Sequence, residues 1–140
     1  MQRDFQITGG IYLAQPPHEL DLHNNFKFCG LQYSVENRTL LLRWRRSTGE
    51  WVVTGTPASA TIEFREVSEF RFPPRDAQLP FTEDDCLHEF GYWTDEDWAK
   101  DQIILQGSQA ADPNWLTAIG FMSGAIIIVQ AASAQAFIEP

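Results

Sequence analysis

Between residues 26 and 72 hydrophobic and polar positions alternate with a period of two, the signature of half-buried strands. In TLLLRWRR, Leu40, Leu42 and Trp44 fall on one face while Leu41, Arg43 and Arg45 fall on the other. Upstream, Phe26 and Phe28 share one parity and Leu31, Tyr33 and Val35 the other. The change falls at Cys29-Gly30, where a glycine-bearing bulge would reset the faces. Glu36-Asn37-Arg38 reads as the intervening turn, with Asn37 best suited to a positive φ. After Thr48-Gly49, Trp51-Val52-Val53-Thr54 reads as another strand of a meander. In ATIEFREVSEFRF, Ile62 and Phe64 share parity with Phe70 and Phe72, whereas Val67 is out of step. A bend or bulge between Glu66 and Ser68 reconciles the halves. Pro73-Pro74 should end this strand, because proline brings no N–H to a ladder.

The pattern changes at TEDDCLHEFGYWTDEDW, residues 82–98, which holds seven carboxylates. Thr82 and Thr94 each stand before acids, as helix N-caps do, and acids in a first turn face the positive end of the helix dipole. Cys86, Leu87 and Phe90 would form the apolar side of the first helix and Gly91 would close it. Further on, IILQG (103–107), WLTAIGF and AIIIVQA read as strands, the last two joined by a hairpin at Met122-Ser123-Gly124, with AQAFI a final short strand. The expected fold is α+β, predominantly antiparallel β, as a meander sheet or partly open barrel, with two short helices near 83–90 and 95–101. The expected organisation is a single globular domain over residues 1–140.

A chain of 140 residues with 44% hydrophobic content is long enough to bury a core without disulfide or metal. Its formal charge of −9 favours a basic partner and argues against the polyanionic backbone of nucleic acid. Residues 113–138 carry no charge, yet Ser123-Gly124 interrupts them, no Lys or Arg flanks the run, and Ile126–Val129 is β-branched, so buried strands are expected in place of a membrane span. MQRDFQITGGIYL lacks the apolar core of a secretory signal, so a cytoplasmic location is expected. Cys29 and Cys86 form no CxxC pair and read as free thiols. No phosphate-loop, dinucleotide, nucleophile-elbow or zinc-type motif is present, and neither cofactor nor metal is expected.

Candidate chemistry is sparse. His18, Asp21 and His23 stand close together in PHELDLHNN, and His88 follows Cys86. Convergence of these groups would suit a small metal-dependent or histidine-dependent hydrolase. The simpler reading is a polar segment leading into the Phe26 strand. Cys86 and His88 point apart if they share a helix, so a Cys-His couple would need His18 or His23, and a buried, inert cysteine is the plainer outcome. Glu83, Asp84, Asp85 and Asp95, Glu96, Asp97 could gather a cation, but helix capping already accounts for them. Arg43, Arg45 and Arg65 read as a charged face of cross-strand ion pairs, or else as an anion contact. Five tryptophans are many for this length; most would fill the core, and exposed ones would suit a protein interface or a sugar-stacking platform.

The segment DLHNNFKFCGLQYSVENRTLLLRW, residues 21–44, resembles the start of several families of small bacterial proteins, some uncharacterised and some thought to be immunity proteins that bind a cognate toxin. The resemblance implies a protein-binding role and carries no catalytic residues. The functional expectation is a non-enzymatic, immunity-like domain that recognises a basic protein through an acidic and aromatic surface at Glu83, Asp84, Trp93, Asp95, Glu96 and Trp98. The hydrolase is one alternative and a small-molecule or sugar-binding module another. A homodimer through the uncharged C-terminal block is also compatible with the sequence.

Overall fold

The computed structural model describes residues 1–72, 75–105 and 111–140. The strands are β1 (Gln2–Arg3), β2 (Gln6–Thr8), β3 (Tyr12–Gln15), β4 (His18–Asp21), β5 (Phe26–Ser34), β6 (Thr39–Arg46), β7 (Ser59–Arg71), β8 (Leu87–Trp93), β9 (Leu116–Phe121) and β10 (Ile126–Glu139). The main sheet runs β5-β6-β7-β10-β9-β8, antiparallel throughout, and β1 adds in parallel beside the second half of β10. A smaller antiparallel sheet, β2-β3-β4, packs Ile7, Leu13 and Leu20 into the same core.

The main sheet is strongly curled. Between β5 and β9 lie β6, β7 and β10. In a flat sheet β5 and β9 would stand roughly 19 Å apart. Yet the rings of Phe28 on β5 and Phe121 on β9 have centroids 4.8 Å apart. The sheet is therefore a half-barrel wrapped around Trp44, Phe64, Phe90 and the aliphatic side chains of β6, β7 and β10. This is the partly open barrel expected from the alternation, and β6 holds Leu40, Leu42 and Trp44 inside as its parity requires.

Two predicted bulges are present. Pairing slips between Phe28 and Gly30, where Gly30 has φ 142°, and again on β7, where Gln130 faces Glu69 but Ala131 faces Val67. Glu66 takes φ 53° and Val67 returns to the core. The hairpin at Ser123-Gly124 also forms, with Gly124 at φ 85°. Most of residues 116–138 are buried or half-buried in β9 and β10, with Ala132 and Phe137 of β10 exposed, and no helix among the described residues is long and apolar enough to cross a membrane.

Elsewhere the structure corrects the reading. The short helices are 3₁₀ turns, Phe81–Asp85 and Asp97–Ala99; where the first was expected to run to residue 90, the chain becomes β8. Leu87 and Phe90, three apart, imitate a helix face because a bulge at His88 turns both inward from a strand. Neither turn has a side-chain cap at its N-terminal end, although Thr94 Oγ1 accepts the Glu96 N–H at 3.3 Å. Gly91 lies mid-strand, where the Tyr92 and Ile104 backbones exchange bonds of 2.9 and 2.8 Å. In the β5–β6 turn Arg38, not Asn37, has positive φ, because its carbonyl must turn back to accept the Val67 N–H at 2.9 Å. Residues 51–54 form no strand; tight turns such as Val52 N–H to Gly49 O close the 47–58 loop upon itself. AQAFI is not separate but the end of β10, paired continuously with β7. The expected break at Pro73-Pro74 and the end of the 103–107 strand lie outside the described residues; Ile104 makes an isolated bridge to Tyr92.

Candidate functional site

The curl leaves a seam between the sheet's terminal strands, β5 and β8. Just before β5, His23 Nδ1 donates to the Leu87 carbonyl at the start of β8, clasping the seam at one corner. Beyond that clasp the 81–85 turn lies against β5 and β9. The result is a groove of about 430 Å³. It is lined by Phe28, Cys29, Gly30 and Leu31 of β5, by Phe72, by Phe81, Thr82, Asp84 and Asp85 of the turn, and by Phe121 and Ala125.

The apolar character of this groove follows from the register. Leu31 pairs with Leu42 and Tyr33 with Leu40, so both face the same side as buried core leucines. At the open end of the barrel each stays 38% exposed, although the Tyr33 ring packs on Phe70 with centroids 5.7 Å apart. Phe81 is 74% exposed and Phe72 54%. Asp84 meets Arg75 at 3.0 Å, while the Glu83 and Asp85 carboxylates of the same turn have no cationic partner among the described residues. The site is thus an apolar cleft with unneutralised negative charge on one rim.

The expected binding residues divide. Asp84 lines the groove, and Glu83 precedes it in the same turn without lining it. Trp93 is buried, with its indole N–H on Asp95 Oδ1 at 3.2 Å, and is not presented to solvent. Asp95 is held by both guanidinium nitrogens of Arg71, at 2.8 and 2.7 Å, which depress its carboxyl to a pKa of about 2. Glu96 accepts the indole N–H of exposed Trp98, whose ring packs on Trp115. No tryptophan lines the groove. Sequence reasoning missed Leu31, Phe72 and Phe81; the visible signal was Phe81, a lone aromatic after Pro80 at the head of an acidic turn.

The histidines do not gather. His18 and Asp21 border a concavity against the 53–57 loop, and His88 borders another with Glu89 and Asp101. Asp21 caps its own turn, accepting the backbone N–H groups of His23 and Asn24 at 3.1 and 2.8 Å. His23 does meet Cys86, with Nδ1 3.6 Å from Sγ. A carbonyl oxygen only accepts, so the Nδ1 facing Leu87 carries a proton and cannot take one from the thiol. Burial pushes the Cys86 thiol up, and Asp85 and Glu83 push it the same way, opposite to what nucleophilic activation requires. The pair therefore works as a clasp. No group of three or more His, Cys, Asp or Glu among the described residues is arranged to hold a metal ion. Arg65 pairs with Glu63 two residues away on its own strand, not across strands, and Arg43 and Arg45 stand exposed on β6.

Comparison with protein-family models, curated proteins and solved structures finds no match to this chain, so the resemblance of residues 21–44 rests on that segment alone.

Proposed function

We propose that the protein is a binding domain that recognises a basic protein partner through the seam groove. The observation that carries this reading is an open apolar cleft, walled by Phe28, Leu31, Phe72 and Phe81, beside the unpaired carboxylates of Glu83 and Asp85. Apolar surface left in water at a concavity marks a site of association, and charge on its rim speeds encounter and selects the sign of the partner. The proposed contact thus shifts from Trp93 and Asp95, which the fold occupies internally, to the groove and its acidic turn.

The hydrolase alternative draws on His18, Asp21, His23 and His88, which border different surfaces and have internal duties at Asp21 and His23. A sugar-binding alternative draws on exposed Trp51 and Trp98; the Trp51 indole N–H is engaged by Asn24 O at 2.8 Å.

The test compares the wild-type chain with Phe81→Asp and with Glu83→Lys/Asp85→Lys as baits in lysate of the source organism, washed at low and then high salt. The expected result is a basic protein retained by the wild type, released by salt, and lost from both variants while their thermal transitions are unchanged. Equal retention by all three baits would refute the groove as the binding site.

A further inference from the structure

Resting on the reading of the groove as a protein-binding site, we infer that the partner contributes an extended, basic segment that adds to the main sheet as a strand alongside β5. The two terminal strands of that sheet are treated differently. The outer side of β8 is occupied: the Phe90 N–H donates to Gly10 O at 2.6 Å, and Tyr92 exchanges bonds of 2.9 and 2.8 Å with Ile104. The outer side of β5 is paired with no strand among the described residues. Every second residue of an edge strand turns its N–H and C=O away from its neighbour, so β5 offers an unused half-ladder.

That half-ladder borders the groove. A strand laid along β5 continues the alternation of the sheet, and its inward side chains extend the row made by Leu31 and Leu42. Those side chains enter the cleft against Phe72 and Phe81. The bulge at Cys29 and the charge of Lys27 blunt the first part of β5, as natural edges are blunted against indiscriminate pairing. Strand addition is therefore confined to residues 30–34.

The charge selects the occupant. Asp85 lines the cleft and Glu83 belongs to the same turn, and neither has a cationic partner among the described residues. A second copy of the chain would bring its own formal charge of −9 to the same rim, whereas a segment that turns apolar residues into the cleft and carries lysines long enough to reach the 81–85 turn from its ends would satisfy cleft and rim together.

The probe is a synthetic end-capped peptide of alternating Lys and Val, titrated at low salt into the full-length, isotope-labelled chain. Binding is expected to slow hydrogen exchange at alternate amides within 30–34 by about tenfold or more, and to protect exposed Cys29 from alkylation. N-methylation of the peptide should abolish binding at every second residue only, and Glu83→Lys/Asp85→Lys should weaken it more than about fivefold. A flat N-methyl scan, no binding at low salt, or a β5-to-β5 dimer in sedimentation would each overturn strand addition. If the bait experiment still depends on Phe81 when the methyl scan is flat, only the strand inference falls; if it does not, the groove reading falls as well.

Discussion

Gly91→Ala tests whether residue 91 sits in a strand under a neighbouring backbone. A Cβ built at Gly91 would lie 2.3 Å from the Ile104 carbonyl oxygen and 3.0 Å from Ile103 Cγ2, where ordinary contact begins near 3.4 Å. The 103–105 segment must therefore retreat by about 1 Å, beyond the reach of good hydrogen bonds. At risk are the two bonds between Tyr92 and Ile104, of 2.9 and 2.8 Å. At roughly 0.5–1.5 kcal/mol net for each, the loss is about 1–3 kcal/mol. The stiffer unfolded chain returns about 0.4–1 kcal/mol. A net cost of about 1–2 kcal/mol corresponds to a fall in Tm of roughly 4–8 °C for a chain of this size. Urea melts should show a lower midpoint at unchanged slope, and hydrogen exchange should quicken at the amides of residues 92 and 104 before others. A variant as stable as the wild type, with those amides still protected, would refute the close approach.

Three further outcomes follow from the seam and the surface pair. His23→Ala removes the donor to Leu87 O and should cost about 1–3 kcal/mol, read by chemical denaturation, with increased exchange at the start of β8; an unchanged midpoint would show that the clasp contributes nothing. With an alkylating probe near neutral pH, exposed Cys29 should react well before Cys86, whose raised pKa and partial burial hold it as a thiol, and Cys86 should gain reactivity as pH rises; faster labelling of Cys86 would point to an activated nucleophile. The Asp95 carboxyl, lowered from 3.8 to about 2 by Arg71, contributes stability that is present above its unfolded pKa and lost as pH falls through about 2. Asp95→Asn should therefore flatten the acid limb between those values, the more so at low salt because the pair is exposed; an Asp95 titration by NMR near the ordinary carboxylate value would contradict the ion pair.

The β5–β7 part of the half-barrel was legible as alternation, because β6 and most of β7 have one wet face and one dry face, whereas most of β8, β9 and the start of β10 are buried on both. β6 was read residue for residue, and the resets at Cys29-Gly30 and Glu66–Ser68 were visible as changes of parity. The β2-β3-β4 sheet was not seen, because strands of three or four residues leave too few alternations to stand out. The strand at 87–93 was mistaken for helix at its start, because the bulge at His88 gives an apolar spacing of three and the acids before it resemble a first turn.

The candidate site was less legible still. The composition of the acidic turn and its exposed aromatic were in the sequence, as was the net negative charge. That Trp93 is buried depends on its packing with Ala118 and Ile128, and that Asp95 is neutralised depends on Arg71, 24 residues away in the chain. That Cys86 meets His23 depends on a separation of 63 residues. Local pattern determined the strands of the β5-β6-β7 meander and which face of β6 is dry, since those follow from a two-residue period. Only the tertiary structure decided where the curled sheet stops short of closing, because that depends on how Phe28, Trp44 and Phe121 pack across strands distant in sequence. The opening they leave is what turns Leu31 and Phe81 from core-like residues into a surface.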